Sequence, residues 1–203
     1  MARCVPSDGY SASTGSCLNV TVVFSSAESS LMVRRAVPDD TPGIVAVLEV
    51  VVGERVHSAI DRAWSVEQER AYLESLSPRE VIHVALDDGG GVVGLQILER
   101  WSTVLDSMAH VGQVGTFLLP RWRGRGAGRE LWKATSAFAR DSGYHKLVVQ
   151  VRGTNAHAQA FYRRLGFAEC GRLSRQVLID GRHDDEVLLE LFLARGERHL
   201  EPL

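Results

Sequence analysis

The chain has 203 residues, of which 45% are hydrophobic and 24% charged, an ordinary globular composition with room for one substantial core. A formal net charge of -2 gives no bulk attraction to nucleic acid or anionic membrane, and no apolar run approaches the roughly 18 residues of a spanning helix. Cys4, Cys17 and Cys170 are widely spaced with no Cys-x-x-Cys, which argues against a disulfide framework or zinc site and for a reducing, cytoplasmic compartment.

Residues 1–30 are rich in Ser, Thr and Gly, with one short apolar patch from Leu18 to Phe24. They lack the apolar run of a signal peptide and are expected to form a mobile extension, with the patch packed loosely on the domain. The domain pattern begins near Met32, a candidate second translation start, so 31–203 is expected to be one domain. Leu31 to Val37 reads as a strand. Asp39, Asp40 and Thr41 offer N-caps and Pro42 suits a first helical turn; Ile44, Val45, Val47, Leu48, Val51 and Val52 then give a broad apolar face, with Gly53 a plausible stop. Ser65 caps a second helix through Leu76, and Ser77-Pro78 ends it.

Val81 to Leu86 and Val92 to Leu98 form a hairpin around Asp87-Asp88-Gly89-Gly90-Gly91. A polar stretch to Met108 is a loop. Val111 to Leu119 completes an antiparallel meander, and Pro120 ends it because proline has no N–H for a ladder. The sequence Arg121-Trp122-Arg123-Gly124-Arg125-Gly126-Ala127-Gly128 follows, and a helical period begins with Leu131, Ala134, Thr135 and Phe138 on one face. This is strand, glycine loop, helix. Glycines permit positive φ and close backbone approach, and amides of the loop and first turn converge on one spot where the helix dipole adds positive charge. Arg121, Arg123, Arg125 and Arg129 surround it, so the physics asks for a pyrophosphate or similar anion. The helix 127–141 ends near Gly143, and Lys146 to Val151 is a strand. The crossover places strands 114–119 and 146–151 in parallel.

Which anion binder this is can be narrowed. A Walker loop needs Lys-Ser/Thr after its glycines, and none follows here. A dinucleotide fingerprint fails in both registers, since its last glycine would fall on Arg129 or Leu131. Arg123-x-x-Gly126-x-Gly128 after a strand ending in proline resembles the coenzyme A pyrophosphate loop of the GNAT family of N-acetyltransferases. A second motif strengthens the resemblance. Asn155-Ala156-His157-Ala158-Gln159-Ala160-Phe161-Tyr162-Arg163-Arg164-Leu165-Gly166-Phe167 matches the family's Asn-x-x-Ala-x-x-Phe-Tyr-x-x-Leu-Gly-Phe signature position by position. Here Asn155 is an N-cap, Ala158, Phe161, Tyr162 and Leu165 share a helical face, and Gly166 terminates the helix. Ala168 to Ile179 and Glu186 to Leu193 then read as two strands around Asp180-Gly181, a hairpin signal that leaves the loop length open. The tail 194–203 is polar and is expected to fray. The resemblance covers residues 31 to 193.

The resemblance implies an α/β fold with a mixed, twisted sheet of about six or seven strands and helices on both faces. It implies that strands 114–119 and 146–151 splay and that the pantetheine arm of acetyl-CoA enters the gap. Backbone groups of Phe117, Leu118 and Leu119 are then expected to serve the pantetheine and acetyl carbonyl. Arg123, Gly124, Arg125, Gly126, Ala127 and Gly128 take the pyrophosphate, and Asn155 and Tyr162 lie along the arm. No metal is expected. The implied reaction is acetyl transfer to a primary amine of a small molecule or peptide, with Tyr162 as general acid and the Leu118 N–H holding the oxyanion. The alternative is a non-catalytic coenzyme A sensor. No nucleic-acid or membrane partner is expected, and a homodimer is compatible with the sequence.

The base is less legible. Some family members carry a glutamate on the strand before the loop, where this chain reads Val111-Gly112-Gln113-Val114-Gly115-Thr116. Gln113 cannot accept a proton. Glu99, His110 and Glu54 are the candidates, each equally readable as a surface group. Cys170 as an acyl nucleophile is disfavoured because its strand position reads as core. The acceptor is expected between the first two helices and the final hairpin, near Glu54, His57, Asp61, Trp64 and Asp184-Asp185-Glu186.

Overall fold

The computed structural model describes residues 21–23 and 31–193. The mobility expected of the N-terminal extension and the fraying expected of the tail fall outside the described residues, apart from 21–23. Strands β2 (Leu31–Arg35), β3 (Val81–Leu86), β4 (Val92–Arg100), β5 (Val111–Leu118), β6 (Lys146–Arg152), β7 (Ala168–Ile179) and β8 (Arg182–Phe192) supply the expected mixed sheet. A three-residue strand, β1 (Thr21–Val23), extends it by pairing antiparallel with β2. The spatial order is β1-β2-β3-β4-β5-β6-β8-β7.

Helices α1 (Thr41–Gly53) and α2 (Val66–Ser75) cover one face; α3 (Ala127–Asp141) and α4 (Ala156–Arg164) cover the other. Period-two alternation in β3 explains the layering. Ile82, Val84 and Leu86 point at Ile44, Val47, Leu48 and Val51 of α1, whereas Val81 packs with Trp132 and Ala139 of α3. Ile44, Ile82, Leu95, Leu98, Leu131, Leu147 and Leu189 are fully buried. Burial of each stabilises the fold by about 1.5–3 kcal/mol. Local chemistry sets the helix ends. Ser65 and Gln68 form a reciprocal capping box on α2, and Asn155 caps α4 by accepting from the Ala158 N–H at 3.0 Å. No helix among the described residues is long and apolar enough to cross a membrane.

One topological feature positions the site. β5 and β6 pair in parallel only at Val111↔Lys146, Gly112↔Leu147 and Gln113↔Val148. Beyond Gln113 they part, while β5 continues against β4 and β6 continues against β8. Gly112 allows the close approach at the paired end. A Cβ there would lie 2.8 Å from a Leu98 methyl and 3.0 Å from a Leu147 methyl.

Candidate active site

A cleft of about 1170 Å³ opens where β5 and β6 part. The backbone of β5 decides what faces it. The Leu119 N–H donates to the Val93 carbonyl at 3.0 Å, and the Trp101 N–H donates to the Val111 carbonyl at 3.0 Å. In an antiparallel ladder such bonds recur every second residue, so Gln113, Gly115 and Phe117 also turn their N–H and C=O to β4. Val114, Thr116 and Leu118 therefore turn theirs into the cleft. This corrects the expected trio: Phe117 and Leu119 use their amides within the sheet, and Leu118 alone of the three offers its N–H to the gap. The Leu118 carbonyl already accepts from Arg123 Nε at 3.1 Å.

The glycine loop closes one end of the cleft. After the short turn Pro120–Trp122, Gly124 and Gly126 adopt φ of +73° and +92°, and α3 begins at Ala127. L-residues with side chains rarely adopt these values, so glycine is required. The N–H groups of Arg129 and Glu130 both reach the Gly126 carbonyl, and those of Ala127 and Gly128, at the helix start, have no intrahelical acceptor. Gly124, Gly126, Gly128 and Arg129 line the cleft; Arg125 and Ala127 do not. A Cβ on Gly128 would meet the Phe161 ring at 3.1 Å, so this glycine permits α3 to pack on α4. Arg123 is engaged elsewhere than expected. Its guanidinium forks onto the Glu54 carboxylate at 2.9 and 2.5 Å, tying the loop to the end of α1.

Tyr162 enters from α4 and is buried. Its phenol lies 2.8 Å from Thr116 Oγ1, and Gln96 Nε2 donates to the same oxygen at 2.7 Å. Burial pushes the phenol up to about 12, partly offset by the Thr116 hydrogen bond. It stays protonated through neutral pH. The ring packs edge-on against Phe161 and Phe167. Asn155 is also in the cleft wall, but its side chain is occupied: Oδ1 caps α4, and Nδ2 donates to the His57 carbonyl at 3.1 Å.

On the α1/α2 face lies a row that the sequence does not assemble. Glu99 of β4 stands opposite Gln113 of β5 in register. Tyr72 of α2 donates to Glu99 at 2.5 Å. Gln113 Nε2 donates to Gln150 at 3.0 Å, and Gln150 Nε2 donates to Glu186 at 2.9 Å. Glu186 is 8% exposed, and burial pushes its carboxyl up against the smaller opposing effect of Gln150. Glu99, Gln113, Gln150 and Glu186 all line the cleft. Alternation could have put Glu99, Gln113, Gln150 and Glu186 each on one face of its own strand, but strand order was needed to align them. Thr116 and Gln96, beside Tyr162, were likewise missed.

The other base candidates sit differently. His110 is exposed, stacks at 5.8 Å from His145, and does not line the cleft. It precedes the paired end of β5, six residues or roughly 20 Å along the strand from Thr116. Hydrogen bonds from Arg123 hold Glu54 below the usual carboxylate range, which leaves it a poor proton acceptor. Asp184 is bound by Arg152 and Thr154, and Asp185 by Arg172 and the Arg175 N–H, so of that acidic run only Glu186 faces the cleft. Asp61 gives its carbonyl to Arg55, and Trp64 is exposed, edge-on to Tyr72. Cys170 is exposed on β7, contrary to its core reading. No group of three or more His, Cys, Asp or Glu residues that could hold a metal occurs among the described residues.

The acetyltransferase (GNAT) family profile matches residues 52–167. An L-methionine sulfoximine/L-methionine sulfone acetyltransferase of Pseudomonas aeruginosa is 26% identical over 165 residues, covering 81% of this chain and 95% of that protein. A streptothricin acetyltransferase of Streptomyces lavendulae is 46% identical over 52 residues, 26% of this chain and 28% of that one. The crystal structure of a phosphinothricin acetyltransferase from Sinorhizobium meliloti, in complex with AcCoA, superposes with a TM-score of 0.76 at 21% identity, covering 82% of this chain and 90% of that one.

Proposed function

Since this chain belongs to the acetyltransferase (GNAT) family, we propose that it transfers the acetyl group of acetyl-CoA to a primary amine by direct attack, with residues 31–203 as the single catalytic domain. The observation that carries the reading is the parted β5/β6 pair. One end of its gap is an amide cradle, and its middle holds a protonated phenol near a strand that offers outward N–H groups.

Acetyl-CoA supplies an activated acyl group as a thioester. The cradle of Gly124, Gly126 and Gly128, with Arg129, suits the pyrophosphate. The N–H groups of Thr116 and Leu118 suit the amides of an extended arm laid along the β5 edge. Glu99 takes a proton from the amine, whose ordinary pKa of roughly 10 otherwise keeps it cationic and unreactive. Burial, and then the hydrogen bond to Glu99, push the Tyr72 phenol up, so it remains a donor that orients this carboxylate. The neutral nitrogen forms a bond to the acetyl carbon, and the Leu118 N–H stabilises the charge that builds on the acetyl oxygen. The bonded nitrogen, now cationic, releases its second proton to solvent, as Glu99 does the first, and the carbon–sulfur bond breaks. Tyr162 protonates the departing sulfur and recovers its proton from solvent. Thr116 Oγ1 accepts from Gln96, so its own hydrogen can go to the Tyr162 oxygen, leaving the phenol hydrogen to point at the sulfur.

A thiol-release assay across an amine panel tests this. Release with at least one amine is expected. Binding of acetyl-CoA with no turnover of any amine would instead favour a coenzyme A sensor.

A further inference from the structure

The charges lining the cleft are sorted by arm. On the α3/α4 side, Arg129 and Arg164 have no acidic partner among the described residues. That arm is ready for phosphates. The α1/α2 side carries the opposite sign. Glu99 receives only a neutral phenol hydrogen bond and Glu186 only a neutral amide hydrogen bond. Neither has a cation partner among the described residues. Of the guanidiniums in the wall, Arg152 is buried, with Nε on Asp184 at 2.8 Å and Nη1 on the Arg55 carbonyl at 2.5 Å, and Arg123 forks onto Glu54. Burial, and then the Arg123 charge, push His57 down, so it is neutral at pH 7. Among the described residues the acceptor arm therefore holds two carboxylates with no cation of their own, while the charges of its lining guanidiniums, Arg152 and Arg123, are already matched by Asp184 and Glu54.

Resting on the acetyltransferase reading, we propose that the acceptor is a small molecule with two or more ammonium groups and no carboxylate, its reacting amine at Glu99 and a second ammonium at Glu186. The two carboxylates stand on β4 and β8, three strand spacings apart, on the order of 14 Å from backbone to backbone. Both line the cleft, and Gln113 and Gln150 line the path between them with amide groups. A rigid apolar monoamine would leave Glu186 desolvated and uncompensated. An α-amino acid would bring a third negative charge into the arm with nothing to receive it. This differs from the chemistry in the name of the Pseudomonas aeruginosa relative, which acts on an amino-acid analogue.

The test is a matched pair on the wild-type protein. 1,5-Diaminopentane and L-lysine share the same diamine chain and differ by one carboxylate. Thiol release should give the diamine a kcat/KM at least about 100-fold higher, which is about 2.7 kcal/mol of discrimination. L-Methionine sulfone should rank with lysine or below. Glu186→Gln should raise KM for the diamine at least about tenfold and shrink the gap to lysine below about tenfold. Lysine or methionine sulfone used as well as the diamine would overturn this inference and leave the acetyltransferase reading standing. No release from any amine would overturn both. An unchanged diamine-to-lysine ratio in a folded Glu186→Gln protein would remove Glu186 from the second-ammonium site. Should that variant fail to fold, the wild-type pair decides alone.

Discussion

Tyr162→Phe is the sharpest probe of the chemistry, because it keeps the ring and removes one oxygen. The ring contacts with Phe161 and Phe167 persist, and so does the close packing of α4 on Gly128. The loss is one buried hydrogen bond to Thr116, which leaves the Thr116 hydroxyl with the Gln96 amide as its remaining partner. The fold should lose about 1 kcal/mol, or roughly 2–4 °C in Tm for a chain of this size. The effect on chemistry is of another order. If the phenol protonates the departing sulfur, kcat should fall by about 10²–10⁴-fold, some 2.7–5.5 kcal/mol of barrier. The KM for acetyl-CoA should move little, since its expected ground-state contacts are loop and strand amides. Thr116→Val gives an internal comparison. It retains the phenol but removes the partner that orients it, so its kcat should drop by a smaller factor, about tenfold. With the Tyr162 phenol pushed up to about 12, wild-type kcat should show no alkaline decline from this group below about pH 10. Steady-state thiol release with the best amine, read beside a thermal melt, provides all of these numbers. A folded Tyr162→Phe enzyme within threefold of wild-type kcat would refute the assignment and leave the ring as packing.

Acetyl-CoA at 100 times its Kd should stabilise the fold by about 2.7 kcal/mol, and Gly126→Glu should abolish that thermal shift by placing an anion at the cradle and straining a position with φ of +92°; equal shifts in both proteins would move the pyrophosphate elsewhere. Glu69 on α2 is 2% exposed, burial raises its pKa, and its Oε1 has no hydrogen-bond partner. The burdened charged form is lost on acidification, so Glu69→Gln should stabilise the protein by about 1–2 kcal/mol at pH 7 with the gain shrinking as pH falls through Glu69's raised pKa; denaturant melts at several pH values read this. Glu54 has the opposite sign. Its pKa is held down by Arg123, so the stability it confers is present above the ordinary carboxylate pKa of about 4.3 and disappears as pH falls through its lower folded value. Glu54→Gln should therefore cost about 1 kcal/mol at pH 7, a cost that fades as pH falls through that lowered value; a difference that stays constant on acidification would refute the pairing.

Short-range rules in the sequence determined the pieces of this site. A strand stopped by Pro120, glycines at positions with positive φ and a helix starting at Ala127 are consequences of local sterics within a dozen residues. So are the Asn155 cap and the turn at Asp180-Gly181, where both residues adopt positive φ, although β8 starts at Arg182, four residues before the expected Glu186, because pairing with β7 carries the polar run 182–185 into the ladder. Together with the helix motif ending at Phe167 they made the family legible. Tertiary structure alone decided how those pieces meet. Whether Leu118 or Leu119 offers its amide to the cleft depends on the phase of the β4/β5 ladder, which a one-residue slip would invert. Arg123 is held by Glu54, 69 residues away, and Glu99 by Tyr72, 27 residues away. The row from Glu99 to Glu186 crosses four strands, β4-β5-β6-β8, and β8 stands beside β6 only because β7 takes the sheet edge. His110 lies one residue before β5, at the end where β6 pairs with it and leaves no gap. Side-chain chemistry along a chain names what each residue can do; pairing between distant strands sets which residues share one cleft, and that information is not local.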